Sequence, residues 1–154
     1  MPQPATTIQV HASCVEIAGA GIILRGPSGS GKSDLALRLI DHGARLVGDD
    51  RIDLESEDGA LIARSPPTIA GKIEVRGIGI LSLPSVSRTR VRMAVDLVER
   101  STIERLTEPR HCSYLGIELP LLAVAPFESS APAKLRAAAT ALARGRYPDG
   151  QASA

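Results

Sequence analysis

Gly26-Pro27-Ser28-Gly29-Ser30-Gly31-Lys32-Ser33 is the stretch that decides the fold of this chain. It has the form G-x-x-x-x-G-K-S, the phosphate-binding P-loop pattern. Glycines let the backbone curl so that successive N–H groups converge on phosphate oxygens. Lys32 can bring its charge to the β- and γ-phosphates, and the Ser33 hydroxyl can hold Mg²⁺. The pattern therefore predicts a nucleotide-phosphate site made by all eight residues.

The segments on either side of this stretch are those that a P-loop requires. Residues 21–25 are mostly apolar and β-branched, which is typical of a buried strand. Residues 33–41 have the spacing of a helix, and Gly43 is placed to end it. A strand, a Gly-rich turn and a helix aim the positive end of the helix at an anion. A flexible Gly/Ser loop is the alternative, and these flanking segments argue against it.

The composition is that of one globular domain. The 154 residues are 44% hydrophobic and 23% charged, which is enough to bury a core. We expect a single domain over 1–154, with loose ends at 1–7 and 147–154. A net charge of +1 and only three aromatic residues argue against a nucleic-acid partner. Cys14 and Cys112 have no partners at zinc-site spacing.

No apolar run reaches membrane-spanning length, and the first seven residues are too polar for a signal peptide. We therefore expect a cytoplasmic protein without membrane attachment.

The rest of the chain alternates short strands with few helices. Alternating or apolar runs predict strands at 8–12, 15–17, 44–48, 51–55, 60–63, 72–76, 88–98 and 119–126. An Ala-rich helix is predicted from Pro132 to Arg144, ended by Gly145. The predicted fold class is α/β, a strand-rich mixed sheet with few helices.

An acidic pair, Asp49 and Asp50, follows the strand predicted after the P-loop helix. Ligands of α/β sheets bind beyond the carboxyl ends of strands, so this pair is predicted to face the nucleotide. One carboxylate can hold a metal or its bound water, and the other can take a proton from an incoming hydroxyl. A strand-end turn, where Asp is common, is the alternative.

Two further positions carry weaker signals. Glu74 shares a strand face with Arg76, where the two could complete a Mg²⁺ and phosphate site or form an exposed ion pair. From spacing alone, His11 on a short strand favours a structural role.

These residues together resemble a known family, the catalytic domain of HPr kinase/phosphorylase, a bacterial enzyme that phosphorylates a serine of the phosphocarrier protein HPr. The matching pieces are His11, the P-loop, residues 42–50, and Glu74-Val75-Arg76-Gly77-Ile78-Gly79-Ile80. The last is similar to the family's E-[IV]-R-G-[LI]-G-[IV] signature. The resemblance implies a P-loop kinase domain of the HPr kinase/PEP carboxykinase-like type, in a short form with the catalytic C-terminal domain only.

The resemblance also implies roles for individual residues, with ATP and Mg²⁺ as cofactors. The P-loop would bind ATP, and Asp49 would be the general base in phosphorylation and the general acid in the reverse reaction. The implied catalytic residues are His11, Lys32, Asp49 and Arg105. The residues implied to serve the metal are Ser33, Glu74 and Asp50.

The function that follows is an ATP- and Mg²⁺-dependent protein-serine kinase, a transferase acting on HPr of a phosphotransferase system. Kinase activity is favoured over the reverse phosphorylase activity, because residues 126–132 replace the family's late P-G-R-N-like segment. Members of the family form hexamers, so the resemblance leaves open whether this chain forms a homo-oligomer.

Two alternatives stay open, a small-molecule P-loop kinase and a nucleotide-regulated binding module without catalysis. A GTPase is disfavoured, because the chain has no asparagine for a guanine-reading N-K-x-D motif.

Overall fold

The computed structural model describes residues 6–147, which form eleven strands, two α-helices and two short 3₁₀ turns. The strands are β1 Thr7–Val10, β2 Ser13–Ile17, β3 Ala20–Arg25, β4 Arg45–Gly48, β5 Ile52–Glu57, β6 Ala60–Arg64, β7 Lys72–Val75, β8 Gly79–Ser82, β9 Thr89–Leu97, β10 Arg110–Tyr114 and β11 Ile117–Val124. The helices are α1 Lys32–Asp41 and α2 Ala131–Ala143, and the 3₁₀ turns are Pro67–Ile69 and Arg100–Thr102.

Nine strands form one mixed sheet in the order β1-β5-β6-β9-β3-β2-β4, with β11 beside β9 and β10 beside β11. The long strand β9 joins its parts, since it pairs with β6 near its start, with β11 near its end and with β3 along most of its length. The pairs of β9 with β3 and with β11 are parallel, whereas β2 runs antiparallel to both β3 and β4. Strands β3, β4, β9 and β11 therefore point the same way, and their carboxyl ends meet at one edge.

The central strand β3 is buried on both faces. Ile22 and Leu24 pack with residues of α1 and α2 on one face, whereas Ile23 joins Leu54 and Leu61 of β5 and β6 on the other. This alternation follows from the two-residue period of a strand. Burying one such side chain stabilises the fold by about 1.5–3 kcal/mol. The P-loop therefore follows a strand that is held firmly by buried side chains on both faces.

Helix α1 begins directly at the P-loop lysine and packs an apolar stripe on the sheet. Leu35, Ala36, Leu39 and Ile40 are its buried apolar residues, at the i, i+1, i+4 and i+5 positions that one helix face provides. The chain leaves the helix at His42, and Gly43 follows at φ +101°, a conformation that favours glycine.

The hairpin of β7 and β8 forms a separate two-stranded sheet. It carries the Glu74-to-Ile80 signature, with Val75 paired to Gly79 across the turn. The isolated bridge from Leu46 to Ser85 ties the segment that follows the hairpin to β4.

The predicted fold class is confirmed, because a strand-rich mixed sheet carries only two helices within residues 6–147. Strands β8 and β10 were not predicted, and β11 begins at Ile117 rather than 119. In each case the strand forms by pairing with its neighbour in a hairpin. The sequence of β10, RHCSY, shows no clear apolar alternation, although Cys112 and Tyr114 pack against the core, and Ile117 extends β11 because it pairs with Tyr114 across a tight turn.

The innermost residues of the two predicted loose ends, Thr7 and Tyr147, are held by tertiary contacts. Thr7 already pairs with Glu55 in the sheet, and Tyr147 packs against the core. Residues 1–5 and 148–154 lie outside the described residues. Between residues 6 and 147, no helix is long and apolar enough to span a membrane.

Candidate active site

The P-loop connects β3 to α1 at the edge where the carboxyl ends of the parallel strands meet. The turn is closed by a hydrogen bond from the Ser30 N–H to the Pro27 carbonyl at 3.0 Å. The N–H groups of Gly29, Gly31, Lys32 and Ser33 have no acceptor among residues 6–147. Unpaired N–H groups at a helix N-terminus form an anion site. The Ser30 hydroxyl oxygen is also buried without a partner within the described chain.

The P-loop lysine is folded back on its own loop. Lys32 is only 5% exposed, and its Nζ donates hydrogen bonds to the carbonyls of Gly26 at 2.7 Å and Pro27 at 3.0 Å. A buried ammonium needs such partners. The side chain is therefore held beside the unpaired N–H groups, where a phosphate would meet both.

Asp49 follows β4 and reaches the start of α1. Its Oδ1 accepts hydrogen bonds from the Ser33 hydroxyl at 2.7 Å and from the buried Ser13 hydroxyl at 2.9 Å. Within residues 6–147, Oδ2 has no hydrogen-bond donor. The two serines therefore fix the orientation of the carboxylate while its second oxygen stays available.

Asp50 turns away from Asp49 and toward β1. Its φ of +67° lies in the left-handed region, which Asp tolerates better than most residues. Its N–H donates to the Ser13 hydroxyl at 3.1 Å, and its Oδ1 lies 3.0 Å from Nε2 of His11. The Ser13 hydroxyl therefore forms hydrogen bonds with both acidic residues. The predicted residue His11 contacts Asp50.

A cleft of about 460 Å³ opens beside these carboxylates. Asp49, Asp50 and Glu74 all line it, together with Ile80 of the β7–β8 hairpin. The hairpin therefore brings the predicted Glu74 to the same cleft as the acidic pair, although Glu74 itself is exposed.

Of the three predicted metal residues, Asp50 and Glu74 line the same cleft, whereas Ser33 does not line it. Asp49 rather than Asp50 contacts Ser33. Within residues 6–147, no three His, Cys, Asp or Glu side chains are close enough together to hold a metal ion. A Mg²⁺ ion commonly keeps several waters and uses one or two carboxylates with substrate phosphates, and the oxygens of Ser33 and Asp49 fit that requirement.

Arg105 lies apart from this group. It belongs to an exposed segment between the second 3₁₀ turn and β10, and it makes no hydrogen bond or ion pair with the rest of residues 6–147. Its catalytic role stays a prediction from the resemblance.

One ion pair beside the P-loop was missed from the sequence. Arg25, the residue before Gly26, donates from Nε and Nη2 to the two carboxylate oxygens of Asp96 at 2.7 and 3.1 Å, and from Nη1 to the Tyr114 hydroxyl at 3.2 Å. The bond to Asp96 raises the pKa of Arg25 above its ordinary value, although burial opposes the rise. The partners lie 71 and 89 positions away along the chain, so no local pattern indicates the cluster.

A second missed residue is Arg38 of α1. It pairs with Asp34 one turn earlier at 3.0 Å. It also donates to the backbone carbonyls of Pro126 and Glu128. Arg38 thereby ties the segment after β11 to the P-loop helix.

Comparison with known proteins gives the family. A family model described as the HPr Serine kinase C-terminal domain matches residues 3–141. The HPr kinase/phosphorylase of Clostridium beijerinckii is 45% identical over 82 residues, which are 53% of this chain and 27% of that protein. The HPr kinase/phosphorylase of Clostridium novyi is 37% identical over 117 residues, which are 74% of this chain and 38% of that protein.

A solved structure, the Hpr(Ser) kinase/phosphatase from Coxiella burnetii, superposes with a TM-score of 0.77 at 30% identity. The superposition covers 90% of this chain and 96% of that chain. The chain spans only about a quarter to two fifths of the two clostridial proteins. With a family model matching from residue 3 to residue 141, the chain belongs to the HPr serine kinase C-terminal domain family.

Proposed function

We propose that this chain is an ATP- and Mg²⁺-dependent kinase that phosphorylates a serine of HPr. The observation that carries the proposal is the arrangement of Asp49. Its Oδ1 is occupied by the hydroxyls of Ser13 and Ser33, whereas Oδ2 is left without a donor at a cleft beside the P-loop. A general base needs a fixed position and a free oxygen, and this carboxylate has both.

The phosphates of ATP would lie on the unpaired N–H groups of the P-loop. Lys32 would exchange its two carbonyl partners for phosphate oxygens, which costs little because the side chain is already in place. The unpartnered hydroxyl of Ser30 supplies one more donor to the same loop. These groups neutralise charge and orient the γ-phosphoryl group, which is most of what catalysis of phosphoryl transfer requires.

The serine hydroxyl of HPr would enter through the cleft that Asp49 lines. As its oxygen bonds to the γ-phosphorus, the bond from that phosphorus to the bridging oxygen of ADP breaks, and the hydroxyl proton passes to Oδ2 of Asp49. The products are phosphoserine and ADP. In the phosphate-consuming reverse reaction an oxygen of inorganic phosphate would bond to the phosphorus of phosphoserine to give pyrophosphate, and the protonated Asp49 would return a proton to the departing serine oxygen.

Mg²⁺ would be held by Ser33 and Asp49, whose oxygens lie together, while Asp50 and Glu74 add negative charge along the same cleft. When bound, it supplies charge neutralisation at the β- and γ-phosphate oxygens. Asp50 is held by its contact with His11, so His11 would act by orienting that carboxylate at the entrance of the cleft.

Incubation of the chain with γ-labelled ATP, Mg²⁺ and purified HPr tests the proposal. Label on HPr, and none on an HPr variant whose acceptor serine is replaced by alanine, is the expected result. ATP binding without transfer would instead indicate a binding module, and label on a small metabolite would indicate a small-molecule kinase. Incubation of phosphorylated HPr with inorganic phosphate tests the reverse activity in the same preparation.

A further inference from the structure

A second cleft, of about 630 Å³, lies against the P-loop and shares no lining residue with the carboxylate cleft. Its walls are P-loop residues 27–30, residues 97–100 at the end of β9, and residues 125–128 after β11. The second cleft is therefore lined by the P-loop itself, whereas the carboxylate cleft is linked to the P-loop through the contact of Asp49 with Ser33.

This second cleft is mainly apolar and contains an exposed aromatic ring. Leu97, Val98, Ala125 and Pro126 contribute apolar side chains, and Phe127, the only phenylalanine of the chain, lies among them at 72% exposure. The ring is close to the phosphate site, because a Cβ added at Gly31 would lie 2.9 Å from its Cζ atom. A large aromatic side chain left mostly in water beside a ligand loop has no packing reason to be there.

The backbone on both sides of this ring is anchored. Arg38 donates to the carbonyls of Pro126 and Glu128, the residues that flank Phe127. The Glu128 carboxylate also pairs with Arg100 at 3.2 Å and with Lys134 at 3.5 Å. The ring is therefore presented from a fixed segment, which lowers the entropy cost of binding against it.

We propose that Phe127 is the stacking platform for the base of the bound nucleotide, and that the second cleft is its nucleoside subsite. The inference rests on the proposed function, because it needs phosphates on the P-loop. A nucleotide on that loop must extend its base away from the phosphoryl acceptor. The second cleft, which contains none of the residues that line the carboxylate cleft, offers apolar walls and a π face, which are the groups that hold a flat heterocycle.

Isothermal titration with two probes, Mg·ATP and Mg·tripolyphosphate, separates the base from the phosphates. For Phe127→Ala we expect the Kd for ATP to rise about tenfold to a hundredfold, because stacking on one aromatic ring contributes that much. The Kd for tripolyphosphate should change by less than about twofold, the usual effect of a surface substitution. Phe127→Trp should keep the affinity for ATP, because the larger indole ring also offers a face on which the base can stack.

The matched control is Ile78→Ala. Ile78 is 71% exposed, nearly the same as Phe127, but it lines neither cleft. It should leave both Kd values unchanged. Thermal unfolding of each variant checks that the fold is intact.

Two results would overturn the inference while the kinase proposal stands. In the first, the wild type phosphorylates HPr but Phe127→Ala binds ATP as tightly as the wild type. In the second, Phe127→Ala weakens both probes equally, which would show that the ring only supports the P-loop. A wild-type chain that binds neither probe would overturn the proposed function itself.

Discussion

The Ser33 hydroxyl donates a 2.7 Å hydrogen bond to Oδ1 of Asp49, and this contact joins the first turn of the P-loop helix to the end of β4. Because β4 and β3 point the same way with β2 between them, the residue after β4 reaches the residue after the P-loop lysine. The buried Ser13 of β2 completes the arrangement at 2.9 Å. The P-loop serine that is proposed to hold Mg²⁺ thus donates directly to the carboxylate that is proposed to be the base.

Asp49→Asn should abolish phosphoryl transfer to HPr and preserve nucleotide binding. The amide oxygen still accepts from both serines, but the group no longer takes a proton, so the rate should fall by about a hundredfold to ten-thousandfold. Rates with labelled ATP and a Kd by titration measure the two effects. Asp58→Asn, in the turn after β5 at φ +51°, is the matched control, since Asn tolerates that conformation. Transfer at the wild-type rate in Asp49→Asn would refute the assignment of the base.

Asp96→Asn should destabilise the fold and weaken phosphate binding together. It removes the charge that holds both Nε and Nη2 of Arg25 directly before the P-loop, a bond that contributes about 1.5–3 kcal/mol when one partner is charged. Urea unfolding and titration with tripolyphosphate measure the two losses.

The control for this prediction is Glu57→Gln, which breaks the more exposed pair with Arg88 at 2.9 Å. That change should cost less than about 1 kcal/mol. Equal destabilisation by the two substitutions would contradict a special role for the Arg25 pair.

Local signals were enough to predict the part of the site that lies within one strand–loop–helix–strand unit. The P-loop, α1, β4 and Asp49 are close in sequence, and the hydrophobic period of each element is visible. The fold class and family followed from the same residues together with the signature at 74–80.

The parts that could not be predicted depend on distant pairings. Ser13 is a small polar residue on a strand, and its role exists only because β2 lies between β3 and β4. Arg25 and Asp96 meet because β3 and β9 pair in parallel with these two residues in register. The separation of Asp49 from Asp50 depends on the left-handed φ of Asp50, which an acidic pair does not reveal in sequence.

At alkaline pH the wild type should lose more of its free energy of unfolding than the Cys14→Ala variant. The residue is fully buried on β2, and burial raises the pKa of its thiol above the ordinary value. Above about pH 8.5 an unfolded chain loses this proton while the folded chain keeps it. The free energy of unfolding should therefore fall by up to about 1.4 kcal/mol more per pH unit in the wild type. Urea unfolding in reductant from pH 7.5 to 9.5 measures the slopes, and parallel slopes would contradict it.

Gly31→Ala should destabilise the chain by more than the backbone conformation alone explains. Gly31 has φ +101°, and its added Cβ would lie 2.9 Å from Phe127 Cζ and 3.3 Å from Pro126 Cβ. Gly59→Ala is the matched control, because Gly59 has φ +80° but an added Cβ meets nothing within 4 Å. The control should cost about 1–2 kcal/mol from the left-handed conformation.

The substitution at Gly31 should cost less than about 1 kcal/mol more than the control, because the exposed Phe127 ring can shift away from the new Cβ and only Pro126 Cβ, at 3.3 Å, must give way by a small amount. Adding Phe127→Ala to Gly31→Ala should remove the part of that excess that comes from displacing the ring, and the contact with Pro126 remains. Urea unfolding of the two single variants and the double variant gives these differences as a cycle. If the double variant recovers nothing, the excess cost comes from Pro126 and not from the Phe127 ring.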